Sequence, residues 1–348
     1  MKSVMEESVS EAERNANDFV DDLGTVPIPP PPPPPRFIDA LCQTEKQDFP
    51  EEYSHVFRIL PALNDSAKLY TFTGVANQKI IDVITQCALS IAPDYGKILL
   101  PMKERVCLCL TKLKLNLPFT ALSILYNISS RTCSNYFRDT LHILAEVLKG
   151  LIYLPSKEET LANMPKCFKK FWRTRVVIDC AETPVEKLKN LKERIMTYSH
   201  YKGRETLKFG VFVTPAGLIA HISKVLGERT SDKKIVASSG MLDRLAFGDA
   251  VMVDKGFMIE DECLQRGIIL YRPPFRTKGK RFTKAEAMNT AEIASARVHV
   301  ERVIQRLRNF DILKDQVPAN LLSDFDCILT VCGALVNLSS PVLALQRF

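Results

Sequence analysis

Asp179 closes the apolar run "VVID", Asp254 closes "VMVD", and Glu301 lies within the helical pattern "ARVHVERVIQRL". β-branched residues make the first two runs strands. Two acids at strand ends and one on a helix can converge at one edge of a sheet. Such a cluster repels itself unless a cation fills it, and Mg²⁺ or Mn²⁺ takes oxygen ligands of this kind. Two such ions about 4 Å apart activate a water and stabilise the leaving oxygen in phosphodiester displacement. Each acid also has a structural reading. Asp254, followed by Lys255 and Gly256, suits a turn in which the side chain bonds its own backbone. Asp179 suits a turn or cap, and Glu301 can pair with Arg297 or Gln305, each four residues away on one helix face.

Other acids fit a shared site less well. Asp249 begins the strand that Asp254 ends, roughly 16 Å away. Glu292 falls on the opposite helix face from Glu301, about 900° around the axis, and Glu286 lies roughly 22 Å along it. Asp232, in "GERTSDKK", follows a strand and reads as a helix N-cap ahead of a site group. His299 is about 160° from Glu301 in rotation and reads as a core or supporting group.

The elements that must position these residues follow from periodicity. Apolar residues Val106, Cys109, Leu110 and Leu113 recur at helical spacing within a helical stretch from about 70 to 150. Pro118 can start a short helix, and Ser129 or Ser130 can cap the next. On that helix Cys133, Phe137, Leu141 and Leu144 form an apolar stripe, with Arg131, Ser134, Asn135 and Arg138 on a polar one. A short helix, a tight turn and a helix with an Arg/Asn face is the plan of a helix-turn-helix, and equally of a small bundle with a solvated face. From 175 the period changes. The runs 175–180, 207–225 (two strands around a turn at 215–217), 251–254 and 267–274 read as strands, 232–246 as a helix and 283–309 as a long helix. The result is a mixed α/β domain over 175–313, with apolar helices over 314–348 packing on it.

Residues 1–22 carry seven acids against Lys2 and Arg14, a net of −5, which leaves +12 on the rest of a +7 chain. A basic body suits a polyanionic partner. Residues 1–50 read as disordered, with a seven-proline run at 29–35 acting as a stiff spacer. No stretch is expected to reach the roughly 20 apolar residues of a membrane span, and no secretory signal is apparent. The ten cysteines include no CxxC pair and read as reduced core thiols rather than zinc ligands.

Residues 176–313 resemble the DDE superfamily endonucleases of the transposase type 4 group. The resemblance is carried by "VVIDCAET", "TYSHYKGRETLKFGVFVTPAGLIAHISKVLGERTSDKKI", "SGMLDRLAFGDAVMVDKGF" and "ASARVHVERVIQRLRNFDIL". They look especially like the Harbinger-like branch found in animals beside THAP-type zinc fingers. The segment 70–150 resembles the helix-turn-helix that precedes this domain. The resemblance implies an RNase H-like fold, a divalent metal cofactor (Mg²⁺ or Mn²⁺) and a triad of Asp179, Asp254 and Glu301. In that triad Asp179 would bridge two ions, and Gly256 would permit a sharp exit after Asp254. Lys255 stands where the family commonly has Arg, keeping a cation without the forked donor geometry. Ala291 follows Thr290 where a Thr-Arg pair is common, and no THAP signature precedes the helices.

DNA contacts are then expected from Arg131, Ser134, Asn135 and Arg138, from Lys255, and from the loop with Tyr198, His200, Tyr201 and Lys202. The basic run that includes Arg272, Arg276, Lys278 and Lys280 is a further candidate. The expected function is a metal-dependent DNA endonuclease or transposase acting in the nucleus, with no membrane partner. It would work as a homo-oligomer or beside an accessory DNA-binding protein. The alternatives are a domesticated transposase that binds without cutting, and a metal nuclease acting on RNA.

Overall fold

Helix α1 (Ser66–Thr73) is capped by Asp65 and α2 (Gln78–Ile91) by Asn77, each side chain accepting from backbone N–H groups of the first turn. The computed structural model describes residues 59–95, 98–200, 202–274 and 283–341. The acidic and proline-rich segment 1–50, and Tyr201, Arg276, Lys278 and Lys280, lie outside the described residues. Helix α3 (Met102–Leu115) is followed by α4 (Phe119–Tyr126), which begins directly after Pro118. The chain then turns at Asn127, whose φ of 49° is a left-handed conformation that asparagine tolerates. Ser129 caps α5 (Ser130–Leu148), its hydroxyl accepting from the Thr132 N–H at 3.0 Å. The expected stripe of Cys133, Phe137, Leu141 and Leu144 is fully buried. Short helix, turn and longer helix thus follow from a proline, a serine cap and one apolar stripe. Helix α6 (Lys157–Ala162) leads towards the sheet.

Strand β1 (Thr174–Pro184) runs four residues past the expected end at 180. Helix α7 (Leu191–Thr197) and the short β2 (Tyr198–Ser199) precede β3 (Arg204–Val213). Gly217, at φ 94°, makes the turn into β4 (Ile219–Ile222), and β5 (Leu226–Gly227) follows. Helix α8 (Asp232–Ser238) stops well short of 246, and Gly240 at φ 67° turns the chain away. Then come β6 (Ala250–Val253), α9 (Glu260–Gln265) and β7 (Ile269–Tyr271). The sheet order is β2-β3-β1-β6-β7, with β4 and β5 also pairing with β3. β1 is antiparallel to β3 and parallel to β6. The fold is therefore the expected mixed α/β sheet preceded by helices. β2 and β5 escape sequence reading because two residues carry no period.

The sheet has a core on each face. Val177, Ala181, Phe209, Val211 and Met252 join the apolar stripes of α3, α5 and the long helix α10 (Lys284–Leu307) in one. Val176, Ile178, Phe212, Val251 and Val253 join Val236 and Cys263 in the other. Thr283 and Glu286 form a capping box at the start of α10. After α11 (Asp311–Lys314), helix α12 (Phe325–Leu338) packs against both α5 and β4. Asn337 on α12 accepts from the Ile219 N–H at 2.9 Å and donates to the carbonyls of Ile219 and Leu151. The segment Ala319–Leu338 corrects one expectation: by length and composition it could cross a membrane. Its apolar residues instead fill the core shared by the helices and the sheet.

Candidate active site

Alternation along the strands decides which way the acids point. Val177 and Ala181 belong to the core beneath α10, and Asp179 shares their face. Met252 belongs to the same core while Val251 and Val253 belong to the other, so Asp254 follows on the α10 side too. The parallel register pairs Ile178 with Val253. The residue after each of these is the acid, on chains about 4.8 Å apart where the strands pair. Helix α10 buries Ile293, Ala296, Val300 and Val303 on this face, and Arg297 and Glu301 flank that stripe one turn apart.

Asp179 accepts from the Cys180 N–H at 2.8 Å. Burial pushes its pKa above the ordinary carboxylate value, opposed by that N–H and by Arg297, while the charges of Asp254 and Glu301 push it further up. The three acids thus share one electrostatic field. Asp254 accepts from the Lys255 N–H at 2.7 Å and from Arg297 Nη1 at 2.8 Å. Arg297 is only 9% exposed, so its guanidinium is the countercharge built into the acid edge. Sequence reading offered Arg297 to Glu301, and the structure pairs it with Asp254 instead. Among the described residues, no three His, Cys, Asp or Glu side chains are gathered closely enough to hold a metal ion. Gly256 is not the reason for the turn after β6. It has no positive φ, and a Cβ there would meet nothing within 4 Å. The turn is held by Asp254, which accepts on its side chain from Lys255 and on its carbonyl from the Phe257 N–H.

Residues 178–337 match the family model of the DDE superfamily endonuclease, and residues 99–150 match that of the helix-turn-helix of DDE superfamily endonuclease. Two stretches of the chain are thus similar to the two domains of DDE superfamily endonucleases. No curated protein and no solved structure matches it. The endonuclease match runs through α12, and the helix-turn-helix match begins just before α3. Together they support an endonuclease or transposase function, with DNA as the partner the two parts imply.

The other acids of the endonuclease domain hold structural positions. Asp249, 1% exposed, pairs with Lys157 at 2.7 Å and Arg175 at 3.7 Å. Glu292 pairs with Lys170, and Glu286 completes the capping box. Asp232 is not the N-cap of α8: Ser231 is, and Asp232 pairs with Lys208 at 2.6 Å. His299 is buried, its ring stacked on Phe168 and its Nε2 3.1 Å from Cys167 Sγ.

Of the expected DNA-contacting residues, Arg131 and Asn135 are exposed on α5, with Ser134 half-buried beside them. Arg138 is engaged within the protein, donating to the Asn320 carbonyl at 2.9 Å and lying 3.5 Å from Asp324. Lys202 pairs with Glu182 at 2.9 Å, and Lys255 is exposed beside the acid edge. Tyr198 and His200 stack edge to face at 5.3 Å, and His200 lies 3.4 Å from Arg229.

Proposed function

We propose that this endonuclease domain cleaves DNA phosphodiester bonds with a divalent cation that Asp179 and Asp254 would hold, with Glu301 drawn in from the helix to complete the set. The observation that carries the reading is the register of β1 and β6. It brings Asp179 and Asp254 out side by side beneath the helix that bears Glu301. The donor set is all carboxylate, which suits Mg²⁺ or Mn²⁺. The pKa of Asp179, raised first by burial and further by the charges of Asp254 and Glu301, supports a place for added positive charge. When bound, the cation supplies activation of the attacking hydroxyl and neutralisation of the leaving oxygen. Asp179, the most enclosed acid, fixes the site's position on the rigid strand. Asp254 would hold the cation beside Asp179, and Arg297, 2.8 Å from Asp254, is a guanidinium that could meet a phosphate oxygen there. Glu301 closes the site from the helix. Arg131, Ser134 and Asn135 present α5 to duplex DNA, and Lys255 lies where the backbone would approach the acids.

A second reading draws on the Arg297–Asp254 pair: a Harbinger-like transposase retained as a DNA- or protein-binding factor, its acid edge neutralised by arginine. Nicking of DNA carrying the sequences that flank this gene separates the two. Metal-dependent cutting by the intact protein, absent with chelator and in Asp254→Ala, is the expected result. Equal DNA binding by both proteins with no cutting by either would establish the second reading. Action on chromosomal DNA implies the nucleus, and paired DNA ends imply an oligomer or an accessory DNA-binding protein. Imaging of the tagged protein and sedimentation on paired ends test these.

A further inference from the structure

At the opposite end of the sheet, a cleft of about 370 Å³ opens where α6, the chain entering β1 and the loop before β6 meet. Such a volume falls within the range of small-ligand sites. Its walls include Trp172, 52% exposed, and Phe247, 86% exposed. Phe247 rests on Gly267 and is otherwise open to solvent. Gly267, at φ +65°, lies directly against the ring, and a Cβ there would fall 2.2 Å from it. The Arg173 guanidinium lies 5.0 Å from the centre of the Trp172 ring. The adjoining stretch "KCFKKFWRTR" (166–175) holds five cations, two phenylalanines and the only tryptophan, with no acid. Asp249, the one acid lining the cleft, is buried beneath Lys157 and Arg175 and shows almost no surface to a ligand.

We propose that this cleft binds unpaired bases of single-stranded DNA. Bases stack on Trp172 and Phe247 while Arg173 and the neighbouring lysines hold the backbone. Exposed aromatic faces inside a cationic rim are the features that bind single strands without reading sequence. A protein partner would be expected to bury a wider apolar surface than two rings in a basic setting. Arg175, the cleft residue within β1, lies four residues from Asp179, roughly 13 Å along the strand, and Trp172 is farther still, so the cleft is separate from the acid edge. The choice of DNA over other polyanions rests on the endonuclease reading, while the stacking site itself does not.

Because Trp172 is the sole tryptophan, its emission reports the cleft directly. The full-length protein would be titrated, without metal, with an oligothymidylate of about 15 nucleotides, its abasic counterpart, a duplex of equal length and an oligouridylate. The expected result is saturable quenching by the oligothymidylate that weakens as salt rises. Binding should fall about 10-fold with the abasic strand and in Phe247→Ser, and be largely retained in Trp172→Phe. Oligothymidylate bound by anisotropy with Trp172 emission unchanged would overturn the proposal. So would equal quenching by the abasic strand or the duplex, or tighter binding of oligouridylate. Asp254→Asn should quench like the intact protein, so loss of nuclease activity and loss of this site are separately visible.

Discussion

The two ends of β6 each carry an aspartate facing arginine, yet they are built for opposite purposes. Asp249, at the start, is 1% exposed and answers to Lys157, Arg175 and the Ala246 N–H, which donates to Oδ2 at 3.0 Å. Asp254, just past the end, has a half-exposed side chain and answers to Arg297 and the Lys255 N–H. The first is a closed ion cluster, tied down further by Arg175, which also donates to the Pro155 carbonyl. The second is an open edge where acids outnumber the one arginine, so a further cation can enter. Residue type and even strand are shared, and the difference lies in how completely the charge is already answered. A buried charge stripped of its partner is costly, while an exposed one re-solvates cheaply.

That contrast is sharpest in Asp254→Ala. Losing an acid that holds the cation should lower cutting by about a thousandfold or more, since metal stabilisation of the transition state is worth several kcal/mol. The urea midpoint should fall modestly, because Arg297 is 9% exposed and loses one carboxylate while the charges of Asp179 and Glu301 remain nearby. Asp249→Ala should spare cutting and lower stability more, by about 3 kcal/mol, because both the carboxylate and the Arg175 it leaves behind are buried. Equilibrium unfolding beside a nicking assay reads both, and a stable, inactive Asp249→Ala protein would erase the distinction.

Asp179 gives a pH test of the open edge. Its folded pKa lies above the unfolded value, so the folded state binds its proton more tightly. Its contribution is present below the unfolded pKa and is lost as pH rises through the folded pKa. Metal-free Asp179→Asn should therefore melt increasingly above the intact protein across that window, with the gap constant at higher pH. Melting curves in chelator from pH 3 to 8 measure it, and a gap of opposite sign would mean the acids are already well compensated. The smallest effect belongs to Glu292→Ala. Its pair with Lys170 lies on the surface, and unfolding should shift by no more than about 0.5 kcal/mol.

Much of the acid edge was legible because "VVID" and "VMVD" both end apolar runs in a carboxylate, and equal strand patterns suggest equal register. The long helix was legible for a similar reason, since one apolar stripe runs from Ile293 to Leu307. What escaped were choices between equally good partners. Arg297 has Glu301 at the ideal helical spacing, and only the fold brings Asp254, 43 residues away in sequence, within 2.8 Å. Ser231 and Asp232 are adjacent cap formers, and local sequence favours neither until Lys208 arrives from β3. The polar face of α5 shows the same limit: Arg138 looked free for DNA until the chain's last helices folded back beside it. The aromatic and basic run at 166–175 was visible in the sequence, but it sits between the two recognised regions and outside either pattern.

Helix α12 has a bearing on inheritance. It supplies apolar cover to α5 and, through Asn337, holds the edge of β4, so the two halves of the molecule are completed by the same late segment. A gene copy with an early stop before this helix would not leave behind a smaller DNA binder to compete with intact copies. It would lose both halves at once, and selection on either half falls on the integrity of the whole reading frame.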